Sequence, residues 1–340
     1  MKGIRSFSKE FIFDESNVPS QSCHASSLSI LPDGSIFAAW FAGTREGADD
    51  VKIWGARRTE GFWDKPRVLT QDGDIPHWNP VPFVNRDKDL LLFYKKGAEI
   101  ASWQTWLTQS DDFGKHWSVP HELVPGDIGG RGPVRNNILR LSDGRLLAPA
   151  SLESGEWRCF VDRSDDEGKT WQKSNEILAD LGNTASALSG TREIPVSEQS
   201  YSGRGVIQPT LWESSPGHVS MLMRSSEGWI YRSDSPDSGI SWCRAYRTGL
   251  PNNNSGIDLT KTVDGRLFLV CNPVGTNWGP RSPLVLESSE DGGNAWEKVL
   301  TLEDTSGEYS YPYIICGERG LLISYTYQRK NIAFWDIGLR

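Results

Sequence analysis

No stretch of this sequence approaches the ~20 consecutive apolar residues of a membrane-spanning helix, so no helical membrane span is expected. Basic charge is short as well. Lys and Arg number 36 against 44 Asp and Glu, for a net charge of -8 and a pI near 5.3. That balance speaks against nucleic acid as a partner, which wants a basic footprint. Cysteine is sparse: Cys23, Cys159, Cys243, Cys271 and Cys316 are odd in number, scattered, and form no C-x-x-C pair. Free thiols are expected, and neither a disulfide framework nor a zinc site. Helix-period apolar patterns are scarce. The opening "MKGIRSFSKEFIFDES" holds no apolar run long enough for a secretory signal. A cytoplasmic protein is expected, or a secreted one if a leader preceded this chain.

Tryptophan and glycine are plentiful, at 15 and 34. Short β-rich runs bounded by Gly, Asp, Pro and Ser dominate, the signature of an all-β chain. One word recurs: "SDDFGKHW" at 110–117, "SDDEGKTW" at 164–171, "SPDSGISW" at 235–242 and "SEDGGNAW" at 289–296. The shared pattern is Ser-x-Asp-x-Gly-x-x-Trp. Ser and Asp satisfy turn amides, Gly supplies positive φ, and Trp packs between sheets. The word is expected to be a hairpin clasp and not a catalytic motif. "ARRTEGFW" at 56–63 is a worn copy.

A second repeat sets a turn before an apolar strand: "LPDGSIFAAW", "NRDKDLLLFY", "LSDGRLLAPA", "SPGHVSMLM", "TVDGRLFLV" and "GERGLLISY". The spacings run roughly from 48 to 74 residues, most near 55, room for about four short strands per unit. Six such units predict a six-bladed β-propeller forming one domain over 1–340. The last unit lacks an outer strand, which N-terminal "SFSKEFIF" is expected to supply. Within the insertion at 172–203, "SNEILADLGNTASAL" is expected to hold a short helix or a lid loop.

In a propeller the innermost strands begin at one face, and the loops between second and third strands return to it. The strand starts then contribute His24, Asn79, Arg135 with Asn136, Gln208, Asn254 with Ser255, and Tyr309 with Tyr311. The returning loops contribute Arg45, Glu46, Asp49, Asp50, Lys95, Lys96, Glu153, Arg224, Asn272 and Arg281. Convergent polar groups in a concavity make a candidate site. Its arginines suit a carboxylate, which guanidinium groups bind through paired hydrogen bonds. Trp78, Trp103, Trp157 and Trp278 are expected near the same loops, stacking on sugar rings.

Over nearly its whole length the chain resembles the sialidase superfamily, in particular its Asp-box, BNR-repeat neuraminidases. "AAWFAGTREGADDVKIW" resembles the stretch in which an arginine-containing loop precedes the acid aspartate. The resemblance implies Asp50, or Asp49, as general acid. "LMRSS" places Arg224, and "GPRSPLVLESSEDGGNAW" places Arg281, on carboxylate-binding arginines. "GEYSYPYI" makes Tyr309 the nucleophile candidate and Tyr311 the fallback; the two are expected to face opposite ways. Tyrosine nucleophiles set sialidases apart from glycosidases that pair two carboxylates. Two positions depart from the family. "CHAS" puts His24 where the first arginine stands, and "VIQPT" puts Gln208 where a glutamate would activate the tyrosine. Glutamine cannot act as a base.

The implied activity is exo-hydrolysis of a terminal acidic sugar from a glycan, without metal or organic cofactor. Arg224 and Arg281 hold the carboxylate with help from Arg45 or Arg135, and Asn79, Asn136 and Tyr311 contact the ligand. Two alternatives stand beside it. One is a uronate lyase acting by β-elimination, with His24 or a tyrosine taking the proton and arginines neutralising the carboxylate. The other is a glycan-binding propeller without catalysis. Against each assignment stands a structural one. Asp49 and Asp50 can cap a loop turn, Arg45 can pair with Glu46 or Asp50, and His77 can be an ordinary loop residue. "GDIGGRGP" at 126–133 lacks the helix-opening context of a phosphate loop.

Overall fold

A computed structural model describes residues 3–14, 20–71, 73–181, 200 and 202–340. The chain is all-β, and most strands run in four-stranded antiparallel meanders. It divides into two compact units: Met1–Arg135 with Tyr311–Arg340, and Asn136–Ser310. No helix among the described residues is long and apolar enough to cross a membrane.

The first unit holds three sheets. Ser22–Ile30, Ile36–Gly43 and Lys52–Thr59 form one, with short outer strands at Phe62–Trp63 and Arg67–Val68. His77–Val84, Leu90–Lys96, Gln104–Ser110 and His121–Glu122 form the next. In the third, Tyr309–Gly317, Gly320–Tyr327 and Asn331–Leu339 are completed by N-terminal Ile4–Phe11, antiparallel to Asn331–Leu339. The N-terminal segment thus supplies the outer strand that the last unit lacks. Between the sheets lie cores built on Trp40, Tyr313 and Phe334, and on Phe37, Tyr94 and Val134.

In the second unit Leu139–Arg140, Leu146–Leu152 and Glu156–Ser164 form one meander with Gln172–Lys173 at its edge. Two parallel pairs, Glu156 with Arg204 and Trp157 with Gly205, join it to Arg204–Ser215, His218–Ser225, Trp229–Ser235 and Tyr246–Pro251. Asp258–Lys261, Leu267–Cys271, Leu284–Ser289 and Glu297–Glu303 form the last sheet. The described start of the long insertion carries no helix. Ile177 bridges Cys159 and Ala179 bridges Ala245; residues 182–199 and 201 lie outside the described residues.

The repeated word is a clasp in all four copies. Ser110 Oγ donates to Asp112 Oδ1 and accepts from Gly114 N, both at 2.8 Å. The Asp112 carboxylate also accepts from the backbone N–H of His116 at 2.9 Å. Ser164, Ser235 and Ser289 repeat the bonds to Gly168, Gly239 and Gly293. Those four glycines have φ between 80° and 89°, which a β-carbon disfavours.

A second regularity lies at the inner strands. Ala25, Asn79, Gln208, Asn254 and Tyr311 all have positive φ, from 44° to 59°. Register shifts fall at three of these places, between His24 and Ser27, Trp78 and Val81, and Ile207 and Thr210. They are β-bulges, which bend a strand and re-aim its side chains, often beside active sites. For bulky tyrosine a positive φ is a genuine outlier.

Candidate active site

In the first unit the bulge of Ser22–Ile30 presents His24, which is buried. Its Nδ1 lies 2.8 Å from Thr326 Oγ1, and that same oxygen accepts from Ala25 N at 3.1 Å. The His24 ring sits 4.2 Å, centroid to centroid, from the ring of Tyr311. Over the Tyr311 ring, at 4.9 Å, lies the Arg135 guanidinium. Arg135 is 1 % exposed and donates through Nη2 to the Pro312 carbonyl. A half-buried phenol is thus in contact with both a tilted imidazole and a guanidinium.

Asn79 is the bulge residue of the next sheet. It is only 4 % exposed, and among the described residues its side-chain amide has no hydrogen-bond partner. His77, expected in a loop, opens strand His77–Val84 and is fully buried, with Nδ1 2.7 Å from Thr70 Oγ1.

The loop that carries Asp50 is a closed turn. Thr44 donates its N–H and its hydroxyl to the Asp50 carboxylate, at 2.9 to 3.2 Å, and Asp50 is exposed. The loop-capping alternative therefore describes Asp50 as it stands. Glu46 accepts from Arg329, so it is not spent on Arg45, which is exposed. Lys95, expected on a returning loop, is fully buried. Its ammonium donates to Thr105 Oγ1 at 2.6 Å and to the carbonyls of Gly130 and Arg131 at 3.1 and 3.0 Å. The glycine-rich stretch 126–133 thus wraps a lysine.

The second unit has its own polar cluster. Arg224, 2 % exposed, donates from Nε to Asn254 Oδ1 and from Nη1 to Gln208 Oε1, each at 3.0 Å. Asn254 in turn donates to Asn277 Oδ1 at 3.0 Å. The Asn254 and Gln208 amide oxygens orient the guanidinium. Arg281, 4 % exposed, is held by Glu308 Oε1 at 2.6 Å and Ser310 Oγ at 3.3 Å.

Several expected site residues serve the fold. Asn136 donates its amide to the main-chain carbonyls of Gln208, Pro209 and Ile257. Tyr309 is 1 % exposed, with its hydroxyl 2.6 Å from Thr305 Oγ1. Residues two apart on a regular strand share a face, so the expected opposition of Tyr309 and Tyr311 does not follow from spacing. The positive φ of Tyr311 breaks the alternation instead. Trp78, Trp103, Trp157 and Trp278, expected to stack on sugar, are all at most 5 % exposed and pack in cores. Glu308, Thr326 and Arg329 were not singled out from the sequence. Only Glu308, next to Tyr309, carried a signal there.

The sequence profile described as the BNR repeat-like domain matches residues 34–323. A sialidase from Clostridium perfringens is 22 % identical over 323 residues, covering 85 % of this chain and 77 % of that protein. Among solved structures, the Hadza microbial sialidase Hz136 superposes with a TM-score of 0.75 at 17 % identity, over 97 % of this chain and 68 % of that one. A protein of unknown function from Dyadobacter fermentans matches over all of both chains, with a TM-score of 0.76 and 16 % identity.

Proposed function

The chain belongs to the sialidase/BNR-repeat family, and on that premise we propose that it cleaves a terminal, carboxylate-bearing sugar from a glycan. The observation that carries this reading is the cluster of His24, Tyr311 and Arg135 around the positive φ of Tyr311. Backbone strain of this kind persists where the surroundings over-determine it, and it clusters at functional sites. Tyr311 is the reactive phenol, attacking or stabilising the anomeric carbon as it becomes oxocarbenium-like. A neutral phenol meets an anionic sugar without like-charge repulsion. Arg135 stabilises negative charge developing on the phenol oxygen. Asn79, buried at the next bulge, donates its amide to the ligand. Asp50 is the proton donor to the leaving oxygen and Arg45 an outer contact to the carboxylate. Arg224 and Arg281, which the family resemblance assigns to carboxylate binding, lie in the second unit, each among its own hydrogen-bond partners.

The clasped, exposed state of Asp50 favours one second reading. A lyase needs no acid at that position. It needs the carboxylate neutralised by Arg or Asn, and a phenol to accept the α-proton. Product analysis with a panel of sialylated and uronate-capped oligosaccharides separates the two. Hydrolysis releases a saturated acidic sugar; elimination leaves an unsaturated product absorbing in the near ultraviolet. Binding without any turnover overturns both and leaves a glycan-binding module.

A further inference from the structure

We infer that His24 acts as a neutral hydrogen-bond donor through Nε2, and not as a general base, because Thr326 fixes its tautomer. The inference rests on the proposed site and deepens it. Thr326 is completely buried, and its hydroxyl makes two recorded bonds: it accepts from Ala25 N at 3.1 Å and meets His24 Nδ1 at 2.8 Å. A threonine hydroxyl has one hydrogen to give. With the Ala25 amide donating to the oxygen, that hydrogen has His24 Nδ1 as its one recorded acceptor among the described residues. A proton on Nδ1 would leave the hydroxyl hydrogen buried and unsatisfied, which costs roughly 1–3 kcal/mol. Nδ1 is therefore the lone-pair nitrogen, and the ring proton sits on Nε2, because the bond made by one nitrogen decides the state of the other.

Among the groups about the His24 ring are the Tyr311 phenol, in ring contact, and Arg135, whose cation lies over that same phenol. The first unit contains the same device again. Thr70, 1 % exposed, accepts from Ile53 N at 3.0 Å and lies 2.7 Å from His77 Nδ1. Backbone-capped threonines thus set the tautomer of histidines on two inner strands. A base would need a lone pair at Nε2; the locked ring offers N–H there, suited to an oxygen of the substrate. Thr326 is the positioning residue.

Two-bond proton–nitrogen correlation spectra of the full-length, nitrogen-15-labelled protein at pH 7 test this. The chain has five histidines, so the spectrum is sparse, and His24→Gln identifies the His24 signals by their loss. His24 and His77 are both expected as neutral rings with Nε2 protonated. Thr326→Ser is expected to keep that pattern for His24, and Thr326→Val to lose it. On a turned-over substrate His24→Gln, which keeps an N–H near the Nε2 position, is expected within about tenfold of wild type, with His24→Ala lower still. Wild-type His24 protonated on Nδ1, or present as imidazolium, overturns the inference. The spectra need no substrate, so failure of the proposed reaction leaves this test intact.

Discussion

The Arg135 guanidinium lies 4.9 Å above the Tyr311 ring while its Nη2 is tied to the carbonyl of Pro312, the next residue along the chain. One arginine therefore both ties the backbone beside Tyr311 and places a cation over its ring. Arg135→Met is expected to lower kcat/KM roughly a hundredfold, the scale of losing one preorganised stabiliser. Arg135→Lys keeps the charge but loses the planar stack, and should fall between wild type and Arg135→Met. Steady-state kinetics check both; an Arg135→Met enzyme with wild-type kcat/KM contradicts the role.

Gln208, which the resemblance sets where the family has a glutamate, has its carbonyl oxygen committed to Arg224. Gln208→Ala is expected to lower stability by about 1.5–3 kcal/mol, because it removes an acceptor from a buried cation. Gln208→Glu retains the acceptor and should recover most of that loss. Urea titrations of the three proteins measure it, and equal midpoints for wild type and Gln208→Ala would sink the account of this cluster.

The clasps bear on acid stability. Backbone N–H donation from His116 holds the Asp112 carboxyl well below the usual carboxylate range, with Ser110 assisting. At Asp291 the N–H of Ala295 and the Ser289 hydroxyl do the same. A group whose folded value is depressed contributes stability that is complete above its unfolded value, about 3.9 for aspartate. That contribution fades as pH falls through the folded value. The urea midpoint should therefore drop below about pH 4. The double variant Asp112→Asn, Asp291→Asn should drop less steeply; a parallel decline contradicts the assignment.

Burial pushes the Cys23 thiol up to about 12, and burial also raises Cys159 and Cys271. Cys243 is exposed and Cys316 half-buried. A thiol-disulfide reagent at pH 8 should label Cys243 first, then Cys316, and reach the other three only on unfolding. Fast native labelling of Cys23, read by peptide mass, would show that its site opens.

Local chemistry was legible in the sequence and non-local geometry was not. The clasp at Ser110, Asp112 and Gly114 is written within eight residues, because each group satisfies a turn beside it. The N-terminal strand was legible because the last repeat visibly lacks its outer partner. The positive φ values were hidden, since neither Gln208 nor Tyr311 prefers that region. Thr326 stands 302 positions from His24, and no short-range pattern announces that bond. The tryptophans misled because the same ring suits a core and a sugar platform equally.

The central claim is that the strained tyrosine, and not its buried neighbour, stands at the reacting centre. The most direct test compares Tyr311→Phe with Tyr309→Phe on one carboxylated substrate that the wild type turns over. The account predicts loss of kcat by roughly a thousandfold or more for Tyr311→Phe. Tyr309→Phe should retain kcat within about tenfold, losing chiefly the roughly 1 kcal/mol of its bond to Thr305. Near-normal turnover by Tyr311→Phe, with activity abolished in a folded Tyr309→Phe, would contradict it.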